Sequence, residues 1–129
     1  MTQLTLQDRQ IWQDLSSILE NIDNEALVRE HLDACEHKVC GYWDEDDTYY
    51  AEIILPRNLQ SKLISSSIGF TGKERFLQFK FVLFSDEINR YSSQPQQVGE
   101  VVLIYNENLE FINEGWTLDI DSPLLELKK

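Results

Sequence analysis

Residues that announce a chemistry are scarce in this 129-residue chain. Two cysteines make no disulfide framework, which fits a reducing compartment. Five scattered glycines leave no glycine-rich loop to cradle a phosphate. Neither Ser65–Ser67 nor Ser122 stands in a G-x-S-x-G frame, so there is no nucleophile elbow. No stretch approaches the roughly 18 apolar residues of a membrane span. The opening "MTQLTLQDRQ" is polar with an early acid, unlike a secretory leader. A cytoplasmic location is the expectation.

Cations are also few. Lysine and arginine number 11 against 23 aspartates and glutamates, for a net charge of −12. The excess is uneven: residues 1–56 hold 13 acids and 3 bases, and residues 91–129 hold 7 acids and 2 bases. Residues 57–90 reverse the sign, with 3 acids and 6 bases. Phosphate repulsion argues against nucleic acid or anionic lipid as a partner. The same field favours solubility and fast association with a basic protein, although many soluble proteins are acidic with no partner in view. A hydrophobic content of 42% with 11% aromatics implies a packed core, and the length implies a single domain over 1–129.

Periodicity predicts an α+β domain. Thr5 and Asp8 resemble a capping box, and Ile11, Leu15, Ile18, Leu19 and Ile22 follow at helical spacing with Trp12 beside them. That predicts a helix over 5–22. Asn24 as cap, with Val28, Leu32 and Cys35, predicts a second over 25–37. Val39–Trp43 and Thr48–Leu55 read as strands around an acidic turn. If Trp43 pairs with Thr48, then Cys40, Tyr42, Tyr49, Ala51, Ile53 and Leu55 face the core, and Trp43 and Tyr50 share the mixed face. "RNLQSKLISSSIGF" predicts a short helix, Phe76–Phe84 a strand with Leu77, Phe79, Phe81 and Leu83 inward, and "SDEINRYSSQPQQ" a mobile polar loop. Val98–Tyr105 and Leu109–Ile112 predict a hairpin. Gly115 then turns the chain into a strand with Trp116, Leu118 and Ile120 inward. The assembled expectation is two N-terminal helices packed on one side of an antiparallel sheet, in the order hairpin, short helix, meander.

Chemistry-bearing residues concentrate in "HLDACEHKVCGYWDEDD". His31, Cys35, His37 and Cys40 have the atoms for tetrahedral zinc, but all four fall within ten residues, and zinc sites take ligand pairs from separated segments. Neither a metal nor a cofactor is expected. "DEDDT" at Asp44–Thr48 matches the DxDxT of haloacid-dehalogenase-type phosphotransferases, yet that motif belongs after a buried parallel strand, not in a hairpin. An EF-hand frame starting at Asp44 places Tyr49 where glycine is needed and Leu55 where the bidentate glutamate belongs. No catalytic residue is assigned. What remains is a recognition surface: Asp44, Glu45, Asp46 and Asp47 crown a hairpin beside Trp43 and Tyr50, a mixture of charge and aromatic area common to interface hot spots. Glu52, Asp119 and Asp121 extend the candidate surface, with Glu110 if it lies alongside.

"GYWDEDDTYY" and the closing meander "EVVLIYNENLEFINEGWTLDID", in a small acidic α+β chain, resemble the immunity proteins of bacterial polymorphic-toxin and contact-dependent-inhibition systems. That resemblance implies a protein that binds and neutralises a cognate toxin domain, often a basic nuclease, with carboxylates standing in for the phosphates of its substrate. Helices followed by an antiparallel sheet are also the order of the cone-shaped nuclear-transport-factor-like fold, which implies a small-ligand pocket or an enzyme. An enzyme of that build would set Asp or His among its inward positions. The inward sets Leu77/Phe79/Phe81/Leu83 and Trp116/Leu118/Ile120 hold neither, which favours protein binding.

Overall fold

The computed structural model describes residues 10–85 and 96–129. The expected capping pair Thr5 and Asp8, and most of the polar loop after Ser85, lie outside these residues. So do the side chains of Ile11, Trp12, Leu15 and Ile18.

Helix α1 (Gln10–Glu20) and helix α2 (Asn24–Ala34) come first. The cap of α2 is Asp23, one residue before the expected Asn24; its side chain accepts from the Ala26 N–H at 3.1 Å. Two antiparallel sheets follow. The small one has the order β1-β2-β7, from β1 (Lys38–Trp43), β2 (Tyr49–Ile54) and β7 (Glu126–Lys128). The large one has the order β3-β4-β5-β6, from β3 (Leu59–Thr71), β4 (Glu74–Ser85), β5 (Gln96–Asn106) and β6 (Phe111–Leu118). Among the described residues, no helix is long and apolar enough to cross a membrane.

The α+β class holds, but the finer layout differs from the expectation. There is no single sheet with two helices laid together on it. Among the described residues α2 packs against β3 and contributes the buried Val28 and Leu32, while Leu19 of α1 reaches the rim of the same core. The predicted short helix over "RNLQSKLISSSIGF" is instead the long strand β3, paired with β4 along its whole length. Leu59 and Leu63 have helical spacing, but they also alternate with Ser61. Serine side chains compete for the backbone bonds of a helix interior, whereas Ile64, Ile68 and Thr71 suit a pleat. A bulge at Ile64 lets Ser66, Ile68 and Phe70 keep the inward face of Leu63.

Gly115 does not turn the chain. It pairs with Val102 inside β6, which runs unbroken to Leu118. The residues after Pro123 return as β7 against β2.

One core lies between the sheets. Phe79, Phe81 and Leu83, on the predicted face of β4, are fully buried. Val101, Leu103 and Tyr105 of β5 lie beside them, and Val39, Tyr50, Ile53 and Leu55 close the core from the small sheet. The Leu118 N–H donates to the Tyr42 hydroxyl oxygen at 2.9 Å, tying one sheet to the other.

Gly99 marks the tightest point. Its φ is +155°, and a Cβ there would sit 2.5 Å from the Thr117 carbonyl oxygen. Substituting Gly99→Ala is expected to cost about 3 kcal/mol through backbone strain and overpacking. Gly115→Ala, whose Cβ would meet nothing within 4 Å, serves as the near-neutral comparison. Denaturant unfolding of the two variants checks this; equal midpoints refute it.

Candidate functional site

The β1–β2 hairpin turns through Asp44–Thr48. The Asp47 N–H donates to the Asp44 carbonyl at 3.1 Å, and the Asp44 N–H donates to the Thr48 carbonyl at 3.0 Å. Asp44 Oδ1 accepts from the N–H groups of Asp46 at 2.9 Å and Thr48 at 2.8 Å. Its Oδ2 accepts from the Tyr50 hydroxyl at 3.3 Å. Asp47 has φ +60°, a left-handed conformation that aspartate tolerates. The β5–β6 turn repeats this pattern. Asn106 Oδ1 accepts from the N–H groups of Asn108 and Glu110, both at 2.9 Å, and Leu109 takes the left-handed place at φ +62°. A neutral amide therefore does in one turn what a carboxylate does in the other. Asp44 braces its hairpin as an acceptor and is largely committed to that role. Glu45, Asp46 and Asp47 extend from the turn, and among the described residues none of them forms an ion pair with lysine or arginine.

Beside them stands an aromatic pair that differs from the expected one. Trp43 and Tyr49 are cross-strand partners, with ring centroids 5.0 Å apart. They are 61% and 46% exposed. Simple alternation places Tyr49 inward and Tyr50 outward; the structure exchanges them, and Tyr50 is only 6% exposed. The cause is Gly41 at φ +70°, which breaks the pleat. Inward residues are then three apart, Val39 and Tyr42 on β1, Tyr50 and Ile53 on β2. Cys40 and Ala51 turn outward for the same reason. The pairing is also one residue off, with Trp43 opposite Tyr49 and not Thr48. A glycine inside a short strand was the one available signal for this change.

Tyr50 instead supports the tip from below. Burial raises its hydroxyl pKa above the ordinary value, and the nearby Asp44 carboxylate adds to the rise, followed by Asp121 and Asp46. Asp121 therefore does lie alongside the hairpin. Asp119 is exposed and turned toward its own loop, its Oδ1 accepting from the Asp121 N–H at 3.2 Å. Glu110 lies just before the far end of β6, about 30 Å of strand from Asp119. Glu52 is engaged by two cations, Lys38 Nζ at 3.3 Å and Lys128 Nζ at 3.9 Å, so its charge is not offered outward. Of the nine residues singled out, the structure brings Trp43, Glu45, Asp46, Asp47 and Asp121 into the exposed surroundings of one hairpin. It assigns Asp44 and Tyr50 to supporting that hairpin, Glu52 to a lysine pair and Asp119 to its own loop, and it adds Tyr49.

The four soft side chains have separate surroundings. His31 pairs with Glu114 and packs against Phe111 and Trp116, with centroids 4.9 and 6.0 Å away. Glu114 thus sits on the inward row of β6, opposite Leu103. The Cys35 thiol donates to the Leu32 carbonyl at 3.5 Å, and Cys40 is exposed on β1. His37 is buried as the second of two left-handed residues, after Glu36, and its Nδ1 accepts from Arg57 Nη1 at 3.1 Å. Among the described residues, no three His, Cys, Asp or Glu gather where they could hold a metal ion.

Two tests separate these roles. Asp44→Ala is expected to lose about 1 kcal/mol by removing the acceptor of two turn amides, while Asp44→Asn keeps that acceptor and stays close to wild type. A thermal-unfolding difference favouring wild type over both variants alike would refute the acceptor role. Burial, then the Arg57 guanidinium, holds the His37 pKa below its usual 6.5, with Asp33 opposing. The folded state therefore binds fewer protons there than the unfolded one. The stability from neutral His37 is complete above 6.5 and is lost as pH falls through the lowered folded value. Wild type should lose more stability than His37→Gln between about pH 7 and 5, read as the difference in their melting temperatures. Parallel pH profiles would refute the assignment.

No family model, curated protein or solved structure matches this chain.

Proposed function

We propose that this chain is a non-enzymatic binding module whose β1–β2 hairpin tip docks on a basic protein. In its narrower form the reading is an acidic cytoplasmic immunity protein that neutralises a cognate toxin domain. The observation that carries it is the exposed Trp43–Tyr49 pair set directly beside Glu45, Asp46 and Asp47. Aromatic rings supply contact area at low entropic cost, and unpaired carboxylates supply steering toward lysine and arginine. The net charge of −12 extends that attraction beyond contact distance. A toxin that binds phosphates would present the matching cations.

A nuclear-transport-factor-like ligand binder draws one observation in its favour, the His31–Glu114 pair on the inner face. Phe111 and Trp116 pack directly on that histidine, so the pair serves better as a fastening of α2 to β6 than as the floor of a ligand pocket.

The test is binding to the product of the neighbouring open reading frame, co-expressed with this chain and then measured with purified components. Replacing Glu45, Asp46 and Asp47 by their amides should slow association on the order of tenfold at low salt and flatten its salt dependence. Trp43→Ala should chiefly accelerate dissociation. Failure of the two products to associate, or an unchanged rate and salt slope in the triple variant, would reject the proposal.

A further inference from the structure

Among the described residues, strand β3 forms one edge of the large sheet, next to β4 in the strand order. It is 13 residues long, and its single charged residue is Lys62. Long edge strands are templates for further pairing, and proteins usually blunt them with charge, proline or brevity. After the bulge at Ile64, the seven residues Ser65–Thr71 keep unbroken register with β4. Phe70 projects from this straight segment and is 71% exposed.

We infer that β3 is a self-association edge, where Ser65–Thr71 pairs antiparallel with the same segment of a second copy across a two-fold axis. The charge distribution selects this occupant. Two copies each at −12 repel over most of their surface, and close approach requires a region without acids. The other edges fit less well. β6 carries Glu114, β7 has three residues including Glu126, and β1 has its pleat broken by Gly41. β3 has neither an acid nor such a break in the segment after its bulge.

The segment is also self-complementary in size. An axis through Ile68 sets Phe70 opposite Ser66 of the second copy, Ser67 opposite Gly69, and Ile68 opposite itself. Each large ring then meets a small side chain on the same face. Phe70 would cover apolar area that it now exposes, and the two large sheets would join into one of eight strands. This edge belongs to a different sheet from the hairpin tip and shares no residue with it.

Sedimentation velocity over a micromolar to millimolar series tests the inference. Wild type should shift from monomer toward dimer with concentration. Phe70→Glu puts an acid on the edge at a highly exposed position and should raise the dimer dissociation constant at least about tenfold. Trp43→Ala should leave it unchanged. In a Cys40→Ser background, Ile68→Cys should form an intermolecular disulfide on mild oxidation, because residues facing each other across such an axis lie within bridging distance. A wild-type chain that stays monomeric throughout, a dimer indifferent to Phe70→Glu, or one lost on Trp43→Ala would overturn it.

Discussion

The inner face of the large sheet carries Phe79, Phe81, Leu83, Val101 and Leu103, all at or near zero exposure, and covering that face organises the rest of the chain. A sheet with one uncovered apolar face gains little from folding, since its side chains stay wet. Burial of each such residue contributes about 1.5–3 kcal/mol, an upper figure because unfolded chains already hide some surface. The cover comes from two directions. Val28 and Leu32 of α2 approach on one side, and Val39, Ile53 and Leu55 approach from the small sheet. The Leu118 N–H on Tyr42 and the His31–Glu114 pair fasten these two covers where apolar contact alone would allow sliding.

That constraint also shapes the hairpin. Its base must be apolar inward to reach the β4 row, while its tip lies past the edge of the core. Gly41 mediates between the two, because its left-handed backbone re-phases the strand so that Tyr50 is buried under the turn and Tyr49 joins Trp43 outside. One glycine thus separates a structural tyrosine from an exposed one on adjacent residues. The acids divide similarly: Asp44 holds the turn, Glu52 is matched by lysines, and Glu45, Asp46 and Asp47 remain without cationic partners among the described residues.

Much of this was legible from residue order. The α+β class, the β1–β2 hairpin, the inward row of β4 and the turn around "NEN" follow from period-two patterning and turn chemistry. Apart from the Gly41 re-phasing of the first hairpin, the departures share one cause, which is that local pattern carries no information about a partner strand. Leu59 and Leu63 suit a helix until β4 is there to pair with them. Gly115 looks like a turn until Val102 holds it in a ladder. The return of residues 126–128 to β2 has no local signature, because it is a pairing across more than 70 residues. At the site, position along the chain identified the acidic tip correctly, but which acids were already engaged depended on hydrogen bonds that only the folded geometry displays.

The two matching turns carry a consequence for the tip. In each, one side chain at the first position supplies the acceptor for two backbone N–H groups of the following residues, and in the second turn the Asn106 amide also donates to the Glu110 carboxylate. The turn is therefore indifferent to what Glu45 and Asp46 are, and asks of Asp47 only tolerance of a left-handed φ. Letters at the tip can be rewritten without disturbing the grammar of the fold. The scaffold's hydrogen bonds therefore set almost no limit on the side chains that the tip carries.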